Sequence, residues 1–116
     1  MGEVKKDARE VINDLLAEQY KNAWDAKKAG RPVGWSTSVF PQELVEIFDL
    51  NLLYPENHAA GVAAKRESKE LIELAEGEGY SIDLCAYARK NFGVLVKGGS
   101  DTLPIPEPDF LCCCNN

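Results

Sequence analysis

Leu50-Asn51-Leu52-Leu53-Tyr54-Pro55-Glu56-Asn57-His58-Ala59-Ala60 is the stretch on which the reading of the fold turns. Leu50 to Tyr54 is a compact apolar run too short for a helix, and Pro55 breaks it, as expected of a buried strand. From Ala59 to Lys65 the sequence turns Ala-rich and helical. A short strand that hands over to a helix is the repeating unit of α/β architecture.

Towards the N-terminus, Val33-Gly34-Trp35-Ser36 is a second short β-like segment, followed by the polar turn Thr37-Ser38. Pro41 suits a first helical position, and Glu43, Leu44, Ile47 and Phe48 continue a short helix. Glu3 to Ala29 predicts a long amphipathic helix, because Val4, Ala8, Val11, Ile12, Leu15, Leu16, Ala23 and Trp24 recur at spacings of three and four. Gly30 stops it and Pro32 confirms the stop. At ~1.5 Å per residue the helix would approach about 40 Å, a length that implies packing on a larger body.

Towards the C-terminus, Ser68 to Glu76 predicts a helix with Leu71, Ile72, Leu74 and Ala75 facing inward, ended by Gly77 and Gly79. Ser81 reads as the N-cap of a helix from Ile82 to about Asn91, with Asp83 in its first turn and Gly93 closing it. Val94 to Pro108, with Gly98, Gly99, Pro104 and Pro106, reads as an exposed connecting loop. Phe110 to Cys114 reads as a central strand. The chain ends at Asn115-Asn116, where a strand should pass to its helix, so the expectation is the N-terminal piece of a longer protein. Residues 1–30 form the N-terminal helix in this reading, and 31–116 the beginning of an α/β domain.

Composition bounds the function. The chain has 116 residues, 45% hydrophobic and 28% charged, which suits one small globular domain. Thirteen Lys and Arg against nineteen Asp and Glu give a net charge of −6. Nucleic acid is therefore not an expected partner, since phosphate neutralisation needs a basic surface. No apolar run approaches the ~20 residues of a membrane span. The opening Met1-Gly2-Glu3-Val4-Lys5-Lys6 lacks the apolar core of a signal peptide, so the expected location is the cytoplasm without membrane attachment.

Cysteine usage is the odd feature. Cys112, Cys113 and Cys114 are consecutive and Cys85 stands apart, a pattern unlike a secreted disulfide framework or a self-contained zinc site. Cys85 falls in the first turn of the expected helix, where free N–H groups favour a thiolate, with Arg89 one turn on. It reads either as a metal or cluster ligand or as a small buried hydrophobe. On a strand, Cys112 and Cys114 share one face, so the triple cysteine either fills a core or contributes a site at the strand's carboxyl end. Glu56 is placed for general acid–base work or as an exposed carboxylate that starts the next helix. His58 reads as a hydrogen-bonded structural residue. Ser36, Thr37 and Ser38 either bind a substrate oxygen or cap. No phosphate-binding loop, dinucleotide fingerprint or nucleophile elbow is present in the sequence.

Taken together, Gly34-Trp35-Ser36-Thr37-Ser38, Phe40-Pro41, Tyr54-Pro55-Glu56-Asn57 and Ala59-Ala60-Gly61 resemble the 2-hydroxyacyl-CoA dehydratase family. Asp83-Leu84-Cys85-Ala86-Tyr87-Ala88-Arg89 resembles its first cysteine segment, and Pro106 to Asn116 the start of its second. The resemblance implies a three-layer domain with a short parallel sheet, and a catalytic subunit that holds a 4Fe-4S cluster by three cysteines. It implies removal of water from an (R)-2-hydroxyacyl-CoA through a ketyl radical to give a 2-enoyl-CoA. A second dehydratase subunit and an ATP-hydrolysing 4Fe-4S activator protein are the implied partners; whether the complex also carries a flavin is left open by the sequence. By position Cys85 matches the first cluster ligand, and Glu56 and Ser38 match residues that bind substrate and handle protons. The second ligand is implied just beyond Asn116, with Cys114 or Cys113 as the weaker alternative. With one ligand present, the chain alone is expected to be inactive and to bind no stoichiometric cluster. The competing expectations are a subunit of the benzoyl-CoA reductase type and a small non-enzymatic thiol or binding module.

Overall fold

The structure, a computed structural model, describes residues 6–114. The order of elements is α1 (Ala8–Lys28), β1 (Val33–Ser36), α2 (Gln42–Ile47), β2 (Asn51–Leu53), α3 (Pro55–Ala64), α4 (Ser68–Gly77), α5 (Ala86–Lys97) and β3 (Phe110–Cys112). The fold is α/β, with a three-stranded parallel sheet in the order β2-β1-β3 and a long first helix. Central position belongs to β1, whose four residues are all buried, and β3 lies at an edge. The expectation of a central strand at Phe110–Cys114 is corrected accordingly. Leu111 is exposed and β3 pairs only with β1 among the described residues.

α1 begins later than Glu3. Asp7 caps it, accepting from the Glu10 N–H at 2.8 Å, while the Glu10 carboxylate accepts from the Asp7 N–H at 3.0 Å. This reciprocal box satisfies donors that the first turn leaves free. Val4 lies outside the described residues. At the other end Gly30 adopts φ +74°, and the Arg31 N–H reaches back to the Ala26 carbonyl at 2.9 Å, a Schellman stop. Only Ala23 and Ala26 of this helix are buried. Val11, Ile12, Leu15 and Leu16 of the expected stripe are exposed, so within the described residues only the second half of α1 packs on the sheet.

One core joins Ala23 and Ala26 of α1, Val33 and Trp35 of β1, Leu53 of β2, Val62, Leu71, Val94 and the loop residue Ile105. The segment after α5 is therefore not the exposed loop that its glycines and prolines predict. Pro106 is buried and its carbonyl accepts from Trp35 Nε1 at 3.2 Å, and the Leu103 carbonyl bonds His58 Nε2 at 2.8 Å. Asp109 then ties the start of β3 to α1 and β1, pairing with Lys27 Nζ at 2.7 Å and accepting from the Val33 N–H at 2.8 Å.

The helix after Gly79 also departs from expectation. Ser81 caps a tight turn, its hydroxyl accepting from the Asp83 N–H at 3.1 Å, and α5 starts only at Ala86. Gly93 does not close it. α5 runs through to Lys97, and Gly93 sits where a Cβ would run into the Leu71 backbone carbonyl, so it is a point of very close approach between α4 and α5.

Candidate functional site

The carboxyl ends of β1 and β2 converge on one cleft of about 350 Å³. β1 and its following loop deliver Ser36 and Thr37, the start of α3 delivers Glu56, and α5 with its N-cap delivers Cys85, Tyr87 and Asn91. Ligand sites in open α/β sheets gather at this end because strands release their loops there and helices begin there. Thr37 is fixed by its backbone. Its N–H donates to the Cys112 carbonyl at 3.1 Å, which ties the loop after β1 to the end of β3.

Cys85 is the N-cap of α5 rather than a residue of its first turn. Its side chain closes no cap hydrogen bond, yet the N–H groups of Ala88 and then Tyr87 hold the thiol below its ordinary value. Desolvation opposes this, Arg89 adds to it and the Glu56 carboxylate works against it. The physical cause is the one expected at a helix start, where unpaired donors favour an anion. Arg89 is itself anchored, its Nε donating to the Leu84 carbonyl at 3.0 Å and its guanidinium paired with Glu76. Cys85 is a free, exposed thiol, so the reading as a buried hydrophobe does not hold.

Glu56 lies in the first turn of α3, directly after β2, where the helix dipole favours a carboxylate. Ser38 Oγ donates to Glu56 Oε2 at 2.9 Å. The structure thus brings together Cys85 and Glu56 in one cleft, with Ser38 on the Glu56 carboxylate. The triple cysteine stands apart: Cys112 is half-buried, Cys113 and Cys114 are exposed, and neither of the latter lines the cleft. They are not core filling, and the Cys114 thiol donates to the Val39 carbonyl at 3.3 Å. Asn115 and Asn116 lie outside the described residues. His58 is buried, with its ring held by the Leu103 carbonyl, as the structural reading expects.

The donor chemistry fits an iron–sulfur cluster in part. A thiol favoured as thiolate, exposed at the mouth of a cleft, is what such a cluster takes as a ligand. Among the described residues it is the only thiol lining that cleft, so it fits as one ligand of several. Elsewhere, Glu67, Glu70 and Asp101 bring carboxylate oxygens within 4.8 Å of one another. Lys97 Nζ already sits among them, at 3.5, 2.9 and 2.6 Å, and supplies the balancing charge.

Two features escape sequence reasoning. Asn91 reads as a helix end, which hides its place in the interior of α5 and on the wall of the cleft that Cys85 also lines. Glu67 is buried and accepts from the Ser100 and Thr102 hydroxyls and the Asp101 and Thr102 N–H groups. Its partners lie more than thirty residues away in sequence, so no local pattern announces them.

No family model matches the chain. It is 74% identical over 112 residues to the (R)-2-hydroxyisocaproyl-CoA dehydratase alpha subunit of Clostridioides difficile, covering 97% of this chain and 28% of that protein. It is 47% identical over 115 residues to the (R)-phenyllactyl-CoA dehydratase alpha subunit of Clostridium sporogenes, covering 98% and 28%. Against a benzoyl-CoA reductase subunit of Thauera aromatica the identity is 27% over 114 residues, covering 93% and 26%. The chain thus spans a little over a quarter of the length of these relatives.

Proposed function

The chain belongs to the 2-hydroxyacyl-CoA dehydratase family, and from that premise we propose that the full-length protein removes water from an (R)-2-hydroxyacyl-CoA to give a 2-enoyl-CoA. In that reaction the bond from C2 to its hydroxyl oxygen breaks, a proton leaves C3, and a double bond forms between C2 and C3. The products are the enoyl thioester and water, with no net use of reductant. A 4Fe-4S cluster, when bound, supplies the single-electron chemistry that the ketyl route to this elimination requires.

The chain's own residues take defined parts. Cys85 contributes one thiolate to the cluster. Glu56 receives the C3 proton or passes one to the departing hydroxyl, work suited to a carboxylate at the edge of a cleft. Ser38 positions that carboxylate through its hydroxyl hydrogen bond. A second subunit and an ATP-hydrolysing activator complete the system in the cytoplasm; the relatives' designation as alpha subunits supports the former. No helix among the described residues is long and apolar enough to cross a membrane.

The observation that carries the reading is the match to dehydratase alpha subunits along almost the whole chain. The test is turnover by the full-length subunit with its partner and activator, on (R)-2-hydroxyisocaproyl-CoA. Formation of the enoyl-CoA with only catalytic amounts of reductant is the expected result. Consumption of reductant in proportion to product would assign the protein to reduction of the benzoyl-CoA type instead.

A further inference from the structure

Lys90, in the interior of α5, is only 5% exposed, yet it pairs with no carboxylate among the described residues. Its Nζ reaches the Ala59 carbonyl only at 3.5 Å, beyond the range of a good N–H···O bond. The other partner is aromatic: Nζ lies over the Tyr87 ring, 4.6 Å from its centroid. Lysines this buried are almost always paired, and a desolvated ammonium gains more from an aromatic face than an exposed one does. Residues three apart on a helix share a face, so the pair is built into one turn of α5. The attraction is mutual, and it fixes the ring as much as the charge. Tyr87 is itself 42% exposed and lines the cleft beside Cys85. Among the described residues, the other apolar groups lining that cleft are the small side chains of Pro55 and Ala88, and the rest offer a thiol, a carboxylate, hydroxyls and an amide. Tyr87 is thus the one broad apolar surface that these residues give the cleft.

We propose that the hydrocarbon part of the acyl group packs on the Tyr87 ring, which Lys90 holds in place, so that the cleft selects larger apolar acyl groups over small ones. This rests on the dehydratase reading of the cleft. It adds to that reading a specificity-determining residue, Tyr87, and a positioning residue, Lys90. The hydroxyl and the C3 proton are the business of polar groups, whereas the carbon atoms beyond C3 need an apolar wall to leave water.

The experiment is steady-state kinetics of the assembled full-length enzyme, with partner and activator, on (R)-2-hydroxyisocaproyl-CoA and (R)-lactoyl-CoA. The second keeps the hydroxyl and the thioester but lacks the isopropyl group beyond C3. The readout is the ratio of the two kcat/KM values, which a general loss of folded or cluster-loaded enzyme does not move. The wild type should favour the larger substrate by about tenfold or more. Tyr87→Ala, which keeps the backbone N–H that favours the Cys85 thiolate, should lower the ratio by about tenfold, and Tyr87→Phe should hold it. Lys90→Met should lower it by about threefold, and Lys90→Arg, which keeps a cation for the ring, should hold it. An unmoved ratio in Tyr87→Ala, or a wild type without preference, would overturn the proposal. An unmoved ratio in Lys90→Met would overturn the positioning role. Tyr87 is exposed, so its variants decide the proposal even where a Lys90 variant does not fold. If the wild type dehydrates neither thioester, the dehydratase reading fails and takes this inference with it. If it dehydrates them and only the ratio fails to respond, this inference alone fails.

Discussion

Glu56 stands where β2 becomes α3, and its position shows how a single residue serves both structure and chemistry. As a first-turn carboxylate it steadies a helix that starts with Pro55. As a cleft residue it is held by Ser38 and lies close enough to Cys85 to oppose its ionisation. In the assembled full-length enzyme, Glu56→Gln should lower kcat by about 100-fold or more while acyl-CoA affinity is retained, the loss expected of a proton-transfer group. Ser38→Ala should lower kcat by only about tenfold, since it removes a positioning hydrogen bond. Steady-state kinetics on the two variants check the order. Equal losses would assign Ser38 a direct part. At this scale the sequence is legible where residue type and strand-end position coincide, as at Glu56 and Cys85. It is not legible at Asn91, because the helix that carries it starts and ends later than Ser81 and Gly93 imply.

Gly93 shows at the scale of elements why that boundary misleads. A glycine near the end of an apolar-periodic run ordinarily signals a stop. Here it serves packing, since α4 and α5 approach so closely that only a hydrogen fits against the Leu71 carbonyl. Gly93→Ala should therefore destabilise the fold by about 2 kcal/mol or more, despite the better helix propensity of alanine. Urea unfolding would check it, and an unchanged midpoint would contradict the close approach. The strand β1 and the stop at Gly30 are legible because local chemistry decides them. The 98–109 segment is not, because its burial depends on Trp35, His58 and Glu67, all distant in sequence. Those contacts give the fold a pH dependence. Burial, partly offset by the Leu103 carbonyl and Glu67, holds His58 below its ordinary 6.5, so the unfolded chain takes up that proton first and stability begins to fall below 6.5. Burial pushes Glu67 up, but the hydrogen bonds from Ser100, Thr102 and Asp101 outweigh it and bring the carboxyl from 4.5 to about 2. Its contribution, on the order of 3 kcal/mol, is fully present above 4.5 and is lost as pH falls towards 2. Glu67→Gln should lower stability at neutral pH and flatten the pH profile below 4.5; a profile that keeps the wild-type slope there would assign the loss to other groups.

The whole molecule leaves a large apolar surface in water. Ile12 is 57% exposed and Leu15 60%, on the N-terminal half of α1, which holds none of the helix's buried residues, and Ile47 and Phe48 are exposed at the end of α2. Apolar side chains left exposed along one helix mark contact with other protein. The isolated chain should self-associate at micromolar concentration, and Ile12→Lys with Leu15→Lys should reduce that without loss of fold. Sedimentation velocity decides it, and a wild-type monomer would contradict the reading of α1 as an interface helix. The α/β class and the long first helix are legible at this scale, whereas the extent of the helix that packs is not, because periodicity reports an apolar face and not what covers it. The central claim, that Cys85 is a cluster ligand of a dehydratase subunit, is tested most directly by anaerobic iron and sulfide analysis of the full-length protein. The wild type should carry about four of each per subunit. Cys85→Ser should fall well below half of that, while the double substitution Cys113→Ser, Cys114→Ser retains the wild-type content. A Cys85→Ser protein with undiminished iron and sulfide would contradict the account.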